Sequence, residues 1–293
     1  MLTIAKLLHY AVGIQVNLIN STRFSDRLKD RHRIFWRARD AEVVRNTIMD
    51  AGDAIEKWKD VENWQRKLSN KYNSREFAKR HNCKVAQLYW RGRDLNSLDF
   101  SSLPCYFVIR PTIGHSLSHV FLMKNSVNLM DGKTYSTEDI KEVLTNALSD
   151  NKKVEFLFEE FIRTECGDYC IPDDYKFYMF NGQVGCIQVI NRINNKQGCT
   201  TWYDENWKLL PNLTTNFPDG KEQSSPRCYE EMLHMAKAIS KSYKIFIRID
   251  FYATDKGVVF GELTPTPALG KGFTCEGDKL LSRYWDKFCK GMI

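Results

Sequence analysis

Two carboxylates and an arginine near the C-terminal end of the chain have the spacing of a metal-dependent site. The stretch 243–270 reads YKIFIRIDFYATDKGVVFGELTPTPALG, and its first part alternates apolar with polar residues as a β-strand does. The turn signal DKG separates it from a second predicted strand. If this hairpin centres on Lys256, Asp250 lies opposite Glu262, with about 5 Å between the two Cβ atoms. Arg248 lies one strand step from Asp250 on the same face, where its charge offsets the repulsion between the acids.

Oxygen ligands on facing strands suit Mg²⁺, which takes one or two carboxylates and completes its shell with phosphate oxygens and water. The alternative is an ordinary hairpin with a solvated polar face. Gly261 before the glutamate, and Pro265, Pro267 and Gly270 after it, make the chain stiffer than an exposed hairpin end needs to be, which favours the metal site. Because paired acids repel without metal, replacing either acid with its amide is expected to maintain or raise the stability of the metal-free protein.

The composition is that of a globular protein with one large or two modest domains, since 43% of the 293 residues are hydrophobic and 27% are charged. The net charge of +7 suits phosphate-rich or acidic ligands. Without a recognition helix, zinc finger or RNP motif, it does not indicate a nucleic-acid partner. The nine cysteines are scattered without a CxxC pair, which argues against structural zinc and favours a reducing cytoplasm.

The first 70 residues are predicted to form an N-terminal helical extension. Residues 1–20 are apolar but interrupted by four polar side chains, so they fit neither a signal peptide nor a membrane span. They are expected to form a buried or interface helix. The charged stretch 23–70 carries aromatic and aliphatic residues at helical intervals, which predicts two or three amphipathic helices with packed tryptophans.

The order of motifs resembles that of the ATP-grasp enzymes. Arg-x-Asp, then Glu-x-Asn and a loop of Pro and Gly, is the metal-binding end of these enzymes. The version here, RIDFY followed by FGELTPTPALG, is similar to the TupA-like branch, in which a threonine, here Thr264, replaces the asparagine. The similarity extends over about 72–288. It implies an α+β fold with a small lid subdomain, about 105–160, over a larger antiparallel sheet, within an ATP-grasp domain at 71–293.

The same resemblance implies a nucleotide site. The strand YFVIR ends in Arg110, where the family usually has a lysine that contacts phosphate; arginine keeps the charge with a larger, forked head. A flexible loop of Gly114, His115 and Ser116 would offer backbone N–H groups to the phosphates. The hinge strand VEFLFEEFI would lie under adenine, and a hairpin with an NG turn would follow it. The resemblance assigns Glu159 and the backbone of Glu160 and Ile162 to adenine, Asp174 to ribose, and Lys176 and Arg192 to phosphate.

The implied activity is that of an ATP- and Mg²⁺-dependent ligase, which joins a carboxylate to an amine through an acyl phosphate. Asp250, Glu262 and Thr264 would hold Mg²⁺ between the phosphates. Arg248 would stabilise the transferred phosphoryl group and the tetrahedral intermediate, with Arg192 as a second catalytic cation. The implied substrates are an amino acid and a uronic acid or peptide-like acceptor in surface-polysaccharide biosynthesis. Two alternatives stay open: an ATP-grasp kinase that phosphorylates a small acceptor, and a nucleotide-binding protein without turnover.

Overall fold

The computed structural model describes residues 23–114 and 117–291, and the helix predicted within 1–20 lies outside them. The α-helices are α1 (Phe24–Arg37), α2 (Ala41–Asn46), α3 (Ile55–Trp58), α4 (Lys71–Arg80), α5 (Thr137–Asp150), α6 (Tyr229–Tyr243) and α7 (Cys275–Phe288). Short 3-10 helices cover Trp64–Ser69, Leu95–Ser97, Phe100–Ser102 and Pro267–Gly270. None of these described helices is long and apolar enough to cross a membrane.

Twelve strands of the described chain form two six-stranded sheets. They are β1 (Leu88–Gly92), β2 (Tyr106–Pro111), β3 (Phe121–Lys124), β4 (Val127–Asn128), β5 (Lys133–Thr134), β6 (Phe156–Glu160), β7 (Asp174–Phe180), β8 (Gln183–Arg192), β9 (Gly198–Tyr203), β10 (Leu209–Leu210), β11 (Phe246–Thr254) and β12 (Gly257–Thr264). The mixture of helices and antiparallel sheets confirms the predicted α+β class.

The first sheet has the strand order β1-β6-β2-β3-β4-β5, with antiparallel neighbours throughout. Helix α5 packs against it and starts with a capping box, in which the Ser136 hydroxyl accepts from the Asp139 N–H and the Asp139 carboxylate accepts in return. Ile140 and Leu144 from this helix are buried in the sheet's core. Strand β1 lies outside the predicted lid subdomain of 105–160, whereas β2 to β6 lie within it, so this sheet includes one strand that the predicted lid does not. The lid boundaries and the division at residue 70 remain predictions.

The second sheet has the order β10-β9-β8-β7-β11-β12 and is also antiparallel. One face forms the largest core, in which Phe177 and Ile247 pack with α6 and the N-terminal helices. The methionines of α6, Met232 and Met235, lie in this core. Trp58 and Trp64 from the N-terminal stretch are buried there too, in agreement with the packing role expected for the tryptophans.

The opposite face of the second sheet divides into an apolar half and a charged half. Helices α1 and α7 cover the apolar half, where Phe24 of α1 and Trp285 of α7 meet Phe246 at ring-centroid distances of 4.9 and 5.8 Å. The charged half carries Lys176 and Asp250, both buried. The part of this face that the two helices cover therefore ends where the polar side chains begin.

Candidate active site

Strands β11 and β12, here called the acidic hairpin, bring the predicted metal ligands together. Asp250 is the cross-strand partner of Glu262, which confirms the predicted register at this point. The turn does not centre on Lys256, because Thr254 pairs with Gly257. A β-bulge between the two pairs adds one residue to β12 and restores the expected register.

The bulge also decides which way Glu262 points. Val258 and Phe260 face the core, and strict alternation would send Glu262 to the same side. With the extra residue, Leu263 takes the core position instead, so Glu262 and Thr264 face the charged half. The bulge requires Gly261, since a Cβ there would lie 2.9 Å from Tyr252 Cε2 and 3.0 Å from the Asp250 carbonyl oxygen.

The Asp250 carboxylate is 3% exposed and bound by two cations. Arg248 donates from Nε to Oδ1 and from Nη2 to Oδ2, each at 2.7 Å. Lys176 Nζ donates to Oδ2 at 2.6 Å. Burial alone would raise the pKa of Asp250, but the charges of Arg248 and Lys176 outweigh it and hold the pKa below its ordinary value. The acid is therefore ionised and already neutralised by its neighbours.

Arg248 joins the two strands at the open end of the acidic hairpin. It is the cross-strand partner of Thr264, and its Nη2 donates to Thr264 Oγ1 at 2.9 Å. One guanidinium therefore fixes Asp250 and Thr264 together. Burial lowers the pKa of Arg248, but the Asp250 charge reverses that effect and raises it, so the group is a permanent cation.

The charges continue along the same sheet face onto β7 and β8. Asp174 Oδ2 lies 3.4 Å from Lys176 Nζ and 3.4 Å from Arg192 Nη2. Arg192, Asp174, Lys176, Asp250 and Arg248 thus alternate in sign across three neighbouring strands. This row has three cations and two anions, so it carries one net positive charge beside the half-exposed Glu262.

Arg110 connects the first sheet to the acidic hairpin. Its Nε and Nη2 donate to Glu159, a carboxylate that is 2% exposed, and its Nη1 donates to the Gly261 carbonyl at 3.0 Å. Arg75 Nη1 donates to the same carboxylate. The Glu159 side chain is therefore occupied by two guanidinium groups, and Arg110 lies within reach of the bulge that orients Glu262.

The other residues of the predicted hinge lie at the end of β6. The Glu160 carboxylate accepts hydrogen bonds from Lys256 Nζ and, at 3.2 Å, from the Gln87 N–H. The Glu160 N–H donates to the Gln87 carbonyl at 2.8 Å. Ile162 follows two residues after β6 and is half-buried. These residues lie on the edge where the first sheet meets the turn of the acidic hairpin.

Lys71 belongs to the same cluster and was not predicted from the sequence. Its Nζ lies 3.3 Å from the Gly114 carbonyl oxygen and 4.0 Å from Glu262 Oε1. Asn70 caps helix α4 by accepting from the Tyr72 N–H at 2.9 Å, which makes Lys71 the first residue of the helix. The capping asparagine is the sequence signal that could have placed Lys71. Of the predicted phosphate loop, Gly114 is described, and His115 and Ser116 lie outside the described residues.

The oxygens of Glu262, Asp250 and Thr264 fit a magnesium ion better than a metal held by protein ligands alone. Within residues 23–114 and 117–291, no three His, Cys, Asp or Glu side chains are grouped to hold a metal. Mg²⁺ needs only one or two carboxylates if phosphate and water supply the rest of its shell. Glu262, with 36% of its side chain exposed, is the more accessible of the two acids.

The comparisons with known proteins agree with the fold. The model of the TupA-like ATP-grasp family matches residues 54–285. No curated protein matches the chain.

Three solved structures are among those similar to this chain. The D-alanine–D-alanine ligase from Bacillus anthracis complexed with ATP has a TM-score of 0.48 and 13% identity, and covers 76% of this chain and 65% of its own. The ATP-grasp ligase PsnB with its minimal precursor has a TM-score of 0.44 and 14% identity, covering 76% and 60%. The D-cycloserine synthetase DcsG has a TM-score of 0.46 and 14% identity, covering 75% and 69%. The chain thus spans about two thirds of the length of these proteins. On the family match over residues 54–285, the chain belongs to the TupA-like ATP-grasp family.

Proposed function

We propose that this protein is an ATP- and Mg²⁺-dependent ligase that joins a carboxylate to an amine. The observation that supports this most is the row of alternating charges from Arg192 to Arg248, which ends beside Glu262 at the acidic hairpin. Cations that are held in place by neighbouring carboxylates can stabilise charge that moves between phosphate oxygens without first reorganising. Membership of the TupA-like ATP-grasp family supports the same reaction class.

Glu262, Asp250 and Thr264 would hold the magnesium ion, with Glu262 as the leading ligand. When bound, the ion would supply charge neutralisation at the phosphate oxygens. Asp250 would contribute while it keeps Arg248 and Lys176 in place, because its two oxygens already accept from those cations. The acidic hairpin therefore carries one accessible acid, Glu262, and one acid, Asp250, that holds the cations in place.

The nucleotide would lie between the two sheets. We assign its adenine to the hinge at Glu159, Glu160 and Ile162, where the Glu159 carboxylate is bound by Arg75 and Arg110. The ribose hydroxyls would hydrogen-bond to Asp174. The phosphates would contact three cations, Lys176, Arg192 and Arg110. They would also accept hydrogen bonds from backbone N–H groups of the loop Gly114, His115 and Ser116.

In the first half-reaction a substrate carboxylate oxygen attacks the γ-phosphorus of ATP, and ADP leaves, which produces an acyl phosphate. Arg248 would hold the transferred phosphoryl group, and Arg192 would stabilise the charge developing near the leaving phosphates. In the second half-reaction an amine attacks the acyl carbon, phosphate leaves with the bonding electron pair, and the nitrogen loses a proton to the departing phosphate to give the amide. Arg248 would then stabilise the oxyanion of the tetrahedral intermediate. The reaction needs no covalent bond to the protein.

For the substrates we propose an amino acid and a uronic acid or peptide-like acceptor, within surface-polysaccharide biosynthesis in the cytoplasm. The test is a screen for ADP release with amino acids paired with sugar acids and short peptides, followed by mass spectrometry of the product. A ligase gives ADP, free phosphate and an amide. A stable phosphorylated acceptor without free phosphate would instead identify a kinase, and binding of Mg·ATP without ADP release in any pairing would contradict the ligase proposal.

A further inference from the structure

Helix α1 precedes the family match, which starts at residue 54, yet it packs on the open end of the acidic hairpin. Phe24 and Leu28 of this helix are fully buried. The 3-10 helix Pro267–Gly270, which follows β12, lies so close that a Cβ at Gly270 would be 2.2 Å from the Ser25 carbonyl oxygen. The segment Pro267–Gly270, which follows the proposed metal-binding strand β12, therefore packs against a helix that the family model does not match.

Arg31 of α1 makes polar contacts between this helix and the open end of the hairpin. Its side chain is 0% exposed, and its Nη1 donates to the Phe246 carbonyl at 2.6 Å and to the Pro265 carbonyl at 3.3 Å. The guanidinium lies against the ring of Trp285, with 4.5 Å from Cζ to the ring centroid. Burial lowers the pKa of Arg31 to about 10, so the group stays charged at neutral pH.

The two carbonyls that Arg31 binds lie on opposite sides of the hairpin's open end, one on β11 and one directly after β12. Phe246 lies two residues before Arg248 on β11, and Pro265 directly follows Thr264 on β12. Arg248 and Thr264 are cross-strand partners joined by a hydrogen bond of 2.9 Å. Arg31 therefore joins the strands just beyond the last pair of active-site side chains, at the end where no turn holds them together.

Burying a charged group costs desolvation energy, and apolar side chains of similar volume in place of buried charged groups often give equal or greater stability. The guanidinium's two donor contacts in fixed directions are what an apolar side chain lacks. We propose that Arg31 is a positioning residue, which holds the open end of the acidic hairpin so that Arg248 and Thr264 keep their geometry. The effect on catalysis rests on the proposed function, whereas the effect on the hairpin itself does not.

The first test is hydrogen–deuterium exchange of the full chain without nucleotide, comparing Arg31→Met with the parent. We expect amides in 246–250 and 262–266 to exchange at least about 10-fold faster, which corresponds to the loss of one charge-assisted hydrogen bond. Amides at the turn, 253–258, should be unchanged. A uniform increase along the whole hairpin, or no increase at the open end, would overturn the proposal.

Two further variants make this test specific. Arg27→Met removes another arginine of α1, one whose ion pair is with Asp286 rather than with the hairpin, and should leave exchange at the open end at the parent rate. Arg31→Lys keeps the charge but has a single amino group, and should give an intermediate rate. If Arg31→Met does not fold, Arg31→Lys is the deciding variant. Exchange at the open end of Arg31→Lys at the parent rate would then reject the positioning role.

A second readout separates this inference from the proposed function. In Arg31→Met we expect kcat to fall about 10-fold or more with little change in the KM for ATP, and Arg31→Lys should recover part of the loss. A purely structural role would lower the melting temperature and leave both constants of the folded enzyme unchanged. If the parent shows no response to Mg·ATP, the proposed function fails, and the exchange pattern still decides the role of Arg31.

Discussion

Asp250→Asn is the substitution for which the structure makes the sharpest prediction about stability. The change keeps the shape of the side chain but removes a negative charge that is 3% exposed and bound by Arg248 and Lys176. Lys176 and Arg248 then lose their nearest counter-ion, and Lys176 keeps only the longer contact of 3.4 Å with Asp174. Removing one partner of a buried ion pair costs about 3–5 kcal/mol, which for a protein of this size lowers the melting temperature by about 5–8 °C.

Glu262→Gln is the matched control on the facing strand. Glu262 is half-exposed, and its ion pair with Lys71 is long at 4.0 Å. An exposed change of this kind alters stability by about 0.5 kcal/mol or less. The sequence alone predicted that either amide would maintain or raise stability, because it showed two opposed acids. The structure retains that expectation for Glu262 and reverses it for Asp250, whose cations come from β7 and from its own strand.

The pH dependence of stability tests whether Asp250 is ionised and paired in the folded protein. Because the pKa of Asp250 is lower in the folded protein than its ordinary value of 3.8, its stabilising contribution is complete above that value and is lost as the pH falls through the folded pKa. Urea unfolding at pH 7, 5 and 3 should therefore show a large difference between parent and Asp250→Asn that narrows only in acid. If Asp250→Asn is as stable as Glu262→Gln at pH 7, the ion pairs assigned to Asp250 are wrong.

Three more predictions concern nucleotide binding and the bulge. Arg110→Ala should weaken ATP binding by about 10- to 150-fold, the value of one charge-assisted contact, and adenosine much less; equal losses would make Arg110 structural. Calorimetry should show tighter binding of ATP than GTP and a requirement for Mg²⁺, and equal affinities would reject the adenine assignment at Glu160 and Ile162. Gly261→Ala should cost about 1–3 kcal/mol because its Cβ would lie 3.0 Å from the Asp250 carbonyl oxygen, and an unchanged urea midpoint would exclude the bulge.

Local sequence patterns predicted the parts of the site that depend on short-range geometry. Alternation placed Arg248 and Asp250 on one strand face. The predicted pairing of Asp250 with Glu262 is correct because the bulge compensates for a turn that does not centre on Lys256. The NG turn between β7 and β8 was equally readable, since Asn181 and Gly182 both have positive φ angles. The bulge was not predicted, because a single glycine in a strand does not reveal whether the register shifts.

The contacts that complete the site join distant parts of the chain, and no local sequence pattern predicts them. Arg75 reaches Glu159 across 84 positions, and Arg31 reaches Phe246 across 215. Each arginine lies in a helix rich in charged residues, where the sequence offers no reason to choose one over its neighbours. Such residues become identifiable only when packing shows which side chains are buried.

The most direct test of the central claim, that the acidic hairpin binds Mg·ATP, is ligand-linked stabilisation of Glu262→Gln. At a concentration of Mg·ATP about 100 times its dissociation constant, the parent should gain about 2.7 kcal/mol of stability, and ATP with EDTA should give much less. Glu262→Gln should fold as well as the parent and lose the magnesium-dependent part of this gain. Stabilisation of Glu262→Gln by Mg·ATP equal to that of the parent would contradict the claim.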